Sequence, residues 1–145
     1  MDTSNLPAPA KGIIVTHSLI VRDIPTSVTF YTEVLGGEVV FVGDVDAVQR
    51  PTMVRLANTW VIINVGGGPT EDKPDVHLEP PTDPTRATSF MNIRVADIHA
   101  CYGRWLDAGA VFLTPPQYRG AEIRCYLRDP DGYLIEVGQT TGLFA

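Results

Sequence analysis

One half of this chain resembles the other, and a duplicated half-domain leaves few folds open. Residues Gly12 to Val21 form an apolar, β-branched run, and Arg22-Asp23-Ile24 then leads into a helix-like segment that ends at Gly36-Gly37. Residues Ser89 to Val95 form a similar run, and Ala96-Asp97-Ile98 leads into a second such segment ending at Gly109. Setting Asp23 on Asp97, an offset of 74, also sets Val21 on Val95 and Ile24 on Ile98. Further on, Ile62-Ile63-Asn64-Val65-Gly66 parallels Leu134-Ile135-Glu136-Val137-Gly138 at an offset of 72. The pattern predicts two modules, residues 12–66 and 87–141, joined by a Pro/Gly-rich crossover over 67–86, within one domain spanning 12–141.

Each module reads as strand, helix, then three strands. Pro25 suits the first turn of a helix, where its missing N–H is not needed. Val28, Tyr31 and Leu35 share a helical face with Phe30 and Val34 beside them, and Gly36 or Gly37 supplies the left-handed residue that ends it. In the second module Asp97 is the N-cap, and Cys101, Trp105 and Ala108 share a face. Helices are thus expected near residues 25–35 and 97–108. The strands predicted to follow are Glu38–Val42, Met53–Ala57 and Trp60–Val65, then Val111–Leu113, Glu122–Leu127 and Tyr133–Gln139. Asp129-Pro130-Asp131-Gly132 is a tight turn, with Pro setting φ and Gly tolerating the left-handed exit, so its flanks form a hairpin. A short edge strand is expected at Val76–Leu78 inside the crossover, and residues 1–11 read as a flexible tail.

Composition narrows the function. Eleven basic residues face 17 acidic ones, giving a net charge of −6 with no basic run, which argues against a nucleic-acid partner. No apolar stretch approaches the roughly 20 residues that cross a bilayer, and the polar, proline-containing start does not resemble a secretory signal. Two cysteines alone make no disulfide framework. The expectation is a cytoplasmic protein without a membrane partner. Gly66-Gly67-Gly68 lacks the Lys-Ser/Thr of a phosphate loop, and no serine stands in a nucleophile elbow.

The run His17-Ser-Leu-Ile-Val-Arg-Asp-Ile-Pro-Thr-Ser-Val-Thr-Phe-Tyr-Thr-Glu-Val-Leu-Gly36 resembles the opening of a vicinal oxygen chelate protein. Tyr126-Leu-Arg-Asp-Pro-Asp-Gly-Tyr-Leu-Ile-Glu136 resembles that superfamily's closing hairpin. Glyoxalase I, extradiol dioxygenases, fosfomycin-resistance enzymes and bleomycin-binding proteins belong there. The resemblance implies an α+β fold in which two βαβββ modules build a curved, eight-stranded mixed sheet with helices on its convex side. It also implies a homodimer and a small molecule in the concave cavity. One scaffold hosts many reactions, so the motifs speak for fold more than for chemistry.

Metal-using relatives place His or Glu on the first and last strand of each module. Carried over residue by residue, Glu136 matches the last-strand ligand, and a mid-strand carboxylate among apolar neighbours needs a partner such as Arg94 or Arg124. His17 stands one residue from the usual first-strand place, which Thr16 holds; a regular strand turns it toward the helices with Leu19 and Val21, and a one-residue bulge turns it into the cavity. Asn64 takes the last-strand place of the first module, and Phe90, or Met91 on a slip of one, the first-strand place of the second. His77 and His99 are expected at the surface.

The implied metal set is therefore degenerate. It consists of His17 and Glu136, holding at most a weak divalent ion (Zn, Fe, Mn, Ni or Mg). Alternation adds Asn92, Arg94, Arg124 and Tyr126 to a ligand cavity with His17, Asn64, Phe90 and Glu136. Three functions remain open. The first is a binder of a small organic molecule. The second is a metal-dependent lyase, isomerase or dioxygenase, in which Glu136 is the catalytic residue and can serve as a general base. The third is an interaction module without a pocket ligand.

Overall fold

The computed structural model describes residues 4–43 and 50–142. The first three residues of the expected tail lie outside this range. The chain divides into two compact units, Met1–Pro80 and Pro81–Ala145, and the division falls inside the expected crossover.

In the first unit, β1 (His17–Ile20) is followed by α1 (Ile24–Thr29), β2 (Glu38–Phe41), β3 (Thr52–Leu56) and β4 (Thr59–Asn64), in the sheet order β1-β4-β3-β2. β1 runs parallel to β4 and the remaining pairs are antiparallel. Asp23 caps α1 by accepting the Thr26 N–H at 3.0 Å, and Pro25 sits in the opening turn. From Phe30 to Val34 the helix widens to a π-helical stretch. There the Thr32 hydroxyl donates to the Val28 carbonyl at 2.7 Å, the carbonyl an α-helical ladder would use, and Leu35 N–H bonds back to Phe30 at 3.2 Å. Gly36, at φ 83°, is the left-handed residue. Ser27, Phe30, Tyr31 and Leu35 are buried where the helical segment packs on β3 and β4, whose Val54, Leu56, Val61 and Ile63 are buried too.

In the second unit, β5 (Met91–Arg94), α2 (Ile98–Asp107), β6 (Val111–Phe112), β7 (Gln117–Tyr118), β8 (Glu122–Arg128) and β9 (Leu134–Thr140) repeat the plan. The order is β5-β9-β8-β6, with β5 parallel to β9 and β7 paired to β8. Asp97 caps α2 through Ala100 N–H at 3.1 Å, and the Gln139 side chain accepts the Ile98 N–H at 2.8 Å, which places α2 on the face of Ile135 and Val137. In the β8–β9 turn, Asp129 Oδ1 accepts the N–H of Asp131 and of Tyr133, each at 2.9 Å.

The α+β class and both helices agree with the sequence reading. Two features depart from it. The described residues hold nine strands, in sheets of four and five, and not eight; β7, bounded by Pro115 and Gly120, carries no alternating pattern to mark it. Val76–Leu78 is not a strand: Leu78 forms a single bridge with Gly67, which a proline- and glycine-rich crossover does not extend. Among the described residues, no helix is long and apolar enough to cross a membrane.

Burial pins the register in both sheets. Val61 and Ile63 in β4, and Ile135 and Val137 in β9, are at most 1% exposed. Each such side chain contributes about 1.5–3 kcal/mol, and a one-residue slip would turn them all outward. In β9 that slip would also drive Glu136 into the core.

Candidate functional site

The open face of the five-stranded sheet gathers the polar residues that alternation predicts. The β5–β9–β8 register sets Asn92, Glu136 and Tyr126 side by side in one row, and Arg94, Gly138 and Arg124 in the next. Phe90 precedes the first row, 47% exposed, with its ring edge-to-face on Tyr126 at 6.1 Å. Glu136 is 7% exposed, and both carboxylate oxygens are engaged. Oε1 accepts from Asn92 Nδ2 at 2.7 Å, and Oε2 accepts from the Tyr126 hydroxyl at 2.6 Å. This donation raises the Tyr126 pKa above its ordinary value, because losing the proton would set two anions against each other.

The ion pair expected at Glu136 is present with Arg94 but long, and the shorter pairs go to Glu122. Arg94 Nη1 stands 4.0 Å from Glu136 but bonds Glu122 Oε2 at 2.6 Å, and Arg124 Nη1 bonds Glu122 Oε1 at 3.1 Å. Glu122 is consequently held below the usual carboxylate range, chiefly by Arg94. Arg94 Nη2 also donates to Thr140 at 3.2 Å. Gly138 makes this possible: a Cβ there would meet Arg94 Nη1 at 2.0 Å, so the guanidinium lies where a side chain would stand. Glu122, Gly138 and Thr140 are absent from the sequence-derived site. Counting by twos from Glu136 reaches the last two, and from Arg124 the first.

The first module decides which way His17 faces. β1 pairs with β4 without a bulge, His17 to Val61 through Ile20 to Asn64, so His17 shares the core-facing side with Leu19 and Val21. It is half-buried there, and burial lowers its pKa. His17 therefore does not face the side that carries Asn64, which corrects the bulged placement that would turn it into the cavity as the metal ligand the resemblance implies. Asn64 Oδ1 accepts the Gly66 N–H at 3.0 Å, closing a local turn.

The last correction concerns the repeat itself. Val21 N–H bonds Asn64 O at 2.8 Å, and Val95 N–H bonds Gly138 O at 2.9 Å, so Asn64 corresponds to Gly138 and Ile62 to Glu136. The offset is 74 in the last strand as in the first, not 72. The four ligand places then hold Thr16, Ile62, Phe90 and Glu136, only one of them ionisable. Among the described residues no three His, Cys, Asp or Glu side chains converge to hold a metal. With the Glu136 oxygens already bonded to Asn92 and Tyr126, these residues do not fit the metal centre of the metal-using relatives.

His77 and His99 are exposed, as expected. Cys125 is buried, and burial pushes its thiol to about 11.

Residues 13–137 match the model of the Glyoxalase/Bleomycin resistance protein/Dioxygenase superfamily, and the chain belongs to that superfamily. Solved structures share the fold. The integron cassette protein VCH_CASS1 of the V. cholerae mobile metagenome superposes with a TM-score of 0.66 at 23% identity, covering 91% of this chain and 98% of its own. TnmS3, an antibiotic-binding protein from Streptomyces sp. CB03234, gives 0.64 at 19%, covering 92% and 100%. The fosfomycin resistance protein FosX from Listeria monocytogenes gives 0.64 at 17%, covering 90% and 95%.

Proposed function

We propose that this protein binds a small organic molecule on the open face of its second sheet, with Glu136 as the polar anchor and without a resident metal. The observation that carries this reading is how Glu136 is held. A nearly buried carboxylate is kept by hydrogen bonds from Asn92 and Tyr126, with Arg94 Nη1 no nearer than 4.0 Å, and has lone pairs left for a ligand. Phe90 and the Tyr126 ring supply apolar surface beside it. TnmS3 provides an antibiotic-binding precedent on the same scaffold. The anchor suits an N–H or O–H donor, and the same geometry suits proton abstraction next to a carbonyl, with Tyr126 and Asn92 fixing the base.

The test uses the neutral fluorescent amine N-phenyl-1-naphthylamine as the probe. The wild type is expected to bind it, and Glu136→Gln to bind it about tenfold more weakly, the worth of one charge-assisted hydrogen bond, while staying folded. A wild type that ignores the probe, or a destabilised Glu136→Gln that binds it unchanged, refutes the assignment.

A further inference from the structure

We infer that the ligand is an organic anion, with its carboxylate or similar group bound in the arginine row and a hydrogen-bond donor at Glu136. This rests on the binding reading above and names the class of molecule it concerns. The two rows are two residues apart along each strand, about 6.5–7 Å. Glu122 sits between two guanidiniums, so the trio Arg94, Glu122 and Arg124 carries one net positive charge. Glu136, 4.0 Å from Arg94 Nη1 in the neighbouring row, faces that charge from the Arg94 side and leaves it turned toward a ligand at Arg124. The arginine side chains are 45% and 39% exposed, so the trio is reachable from the open face. Each guanidinium has five N–H donors. Arg94 spends donors on Glu122 and Thr140, and its plane is set over Gly138; Arg124 spends one on Glu122. The rest suit an anion, and two planar forks held by one carboxylate are pre-oriented for it.

The sign of the charge changes along the face. Glu136 presents an acceptor in one row and the arginines present donors in the next, with Phe90 beyond Glu136. A rigid aromatic hydroxy acid spans such rows, its hydroxyl on Glu136 and its carboxylate on Arg124. Gly138 becomes a specificity determinant, because any side chain there displaces the Arg94 guanidinium.

Titration calorimetry at low salt with 4-hydroxybenzoate and its methyl ester tests this. The wild type should bind the acid about tenfold or more tightly than the ester, as expected for a charge-assisted pair. Arg124→Gln should erase that preference by weakening the acid alone, and Gly138→Ala should weaken the acid in the same direction. Equal binding of acid and ester, or an acid preference that survives Arg124→Gln, overturns the inference. If N-phenyl-1-naphthylamine binds and the acid does not, the anion falls while the binding reading stands; if nothing binds, both fall.

Discussion

Removing the phenolic hydroxyl of Tyr126 isolates the bond that holds Glu136. The hydroxyl donates at 2.6 Å to a carboxylate that is 7% exposed, and a hydrogen bond to a charged group contributes about 1.5–3 kcal/mol. Tyr126 is itself only partly buried, so the lower end applies, and Tyr126→Phe should cost about 1–2 kcal/mol. Glu136→Gln should cost a similar amount. Its amide oxygen keeps the Asn92 bond and its amino group can donate to the tyrosine oxygen, so the bond count survives and the charge assistance does not. The double variant should then recover about 1 kcal/mol of coupling, read by urea denaturation at pH 7. In a chain of this size each kcal/mol shifts Tm by about 2–4 °C, so either single variant is visible in a melt. Coupling below about 0.3 kcal/mol would refute the argument. The bond also has a pH signature. Tyr126 is raised above 10.0 in the folded state, so the folded protein holds that proton more tightly than the unfolded chain. Its contribution is whole below the unfolded value and is lost as pH climbs through the folded one. Tyr126→Phe should flatten that alkaline loss.

Two further outcomes follow from the first unit. An added Cβ at Gly37 would meet Val54 Cγ1 at 2.5 Å and the Tyr31 carbonyl at 2.7 Å, whereas at Gly36 it meets open space. Gly37→Ala should therefore cost about 3 kcal/mol from overpacking and Gly36→Ala about 1 kcal/mol from left-handed strain, and melts giving the reverse order would refute the packing. His17, lowered from 6.5 by burial, takes up its proton more readily in the unfolded chain. Stability should thus decline as pH falls from 6.5 toward the folded value, and His17→Gln should lessen the decline; identical acid profiles for the two proteins would count against burial on the core side.

Local chemistry carried much of this protein into view. Asp23 and Asp97 read as caps because a short carboxylate before a helix satisfies orphan N–H groups. Asp129 to Gly132 reads as a turn because Pro and Gly restrict φ in opposite ways. Period-two alternation was enough to place Phe90, Asn92, Arg94, Arg124, Tyr126 and Glu136 on one side, and the register gathers them. Alternation is blind, however, to a shift of two, which preserves the facing of every side chain. Matching Asn64 to Glu136 and matching it to Gly138 are therefore equally consistent with the pattern, and similar apolar letters favoured the wrong one. Only the backbone bonds from Val21 and Val95 separate them. The side of His17 was open for a related reason: one inserted residue reverses a strand, and the unbroken pairing of β1 with β4 decided it. The choice of partner for Glu136 was likewise tertiary. Arg94, Asn92 and Tyr126 all lie within one strand of it. The hollow at Gly138 draws the guanidinium across to Glu122, so it stays 4.0 Å from Glu136, whose hydrogen bonds come from the two neutral donors.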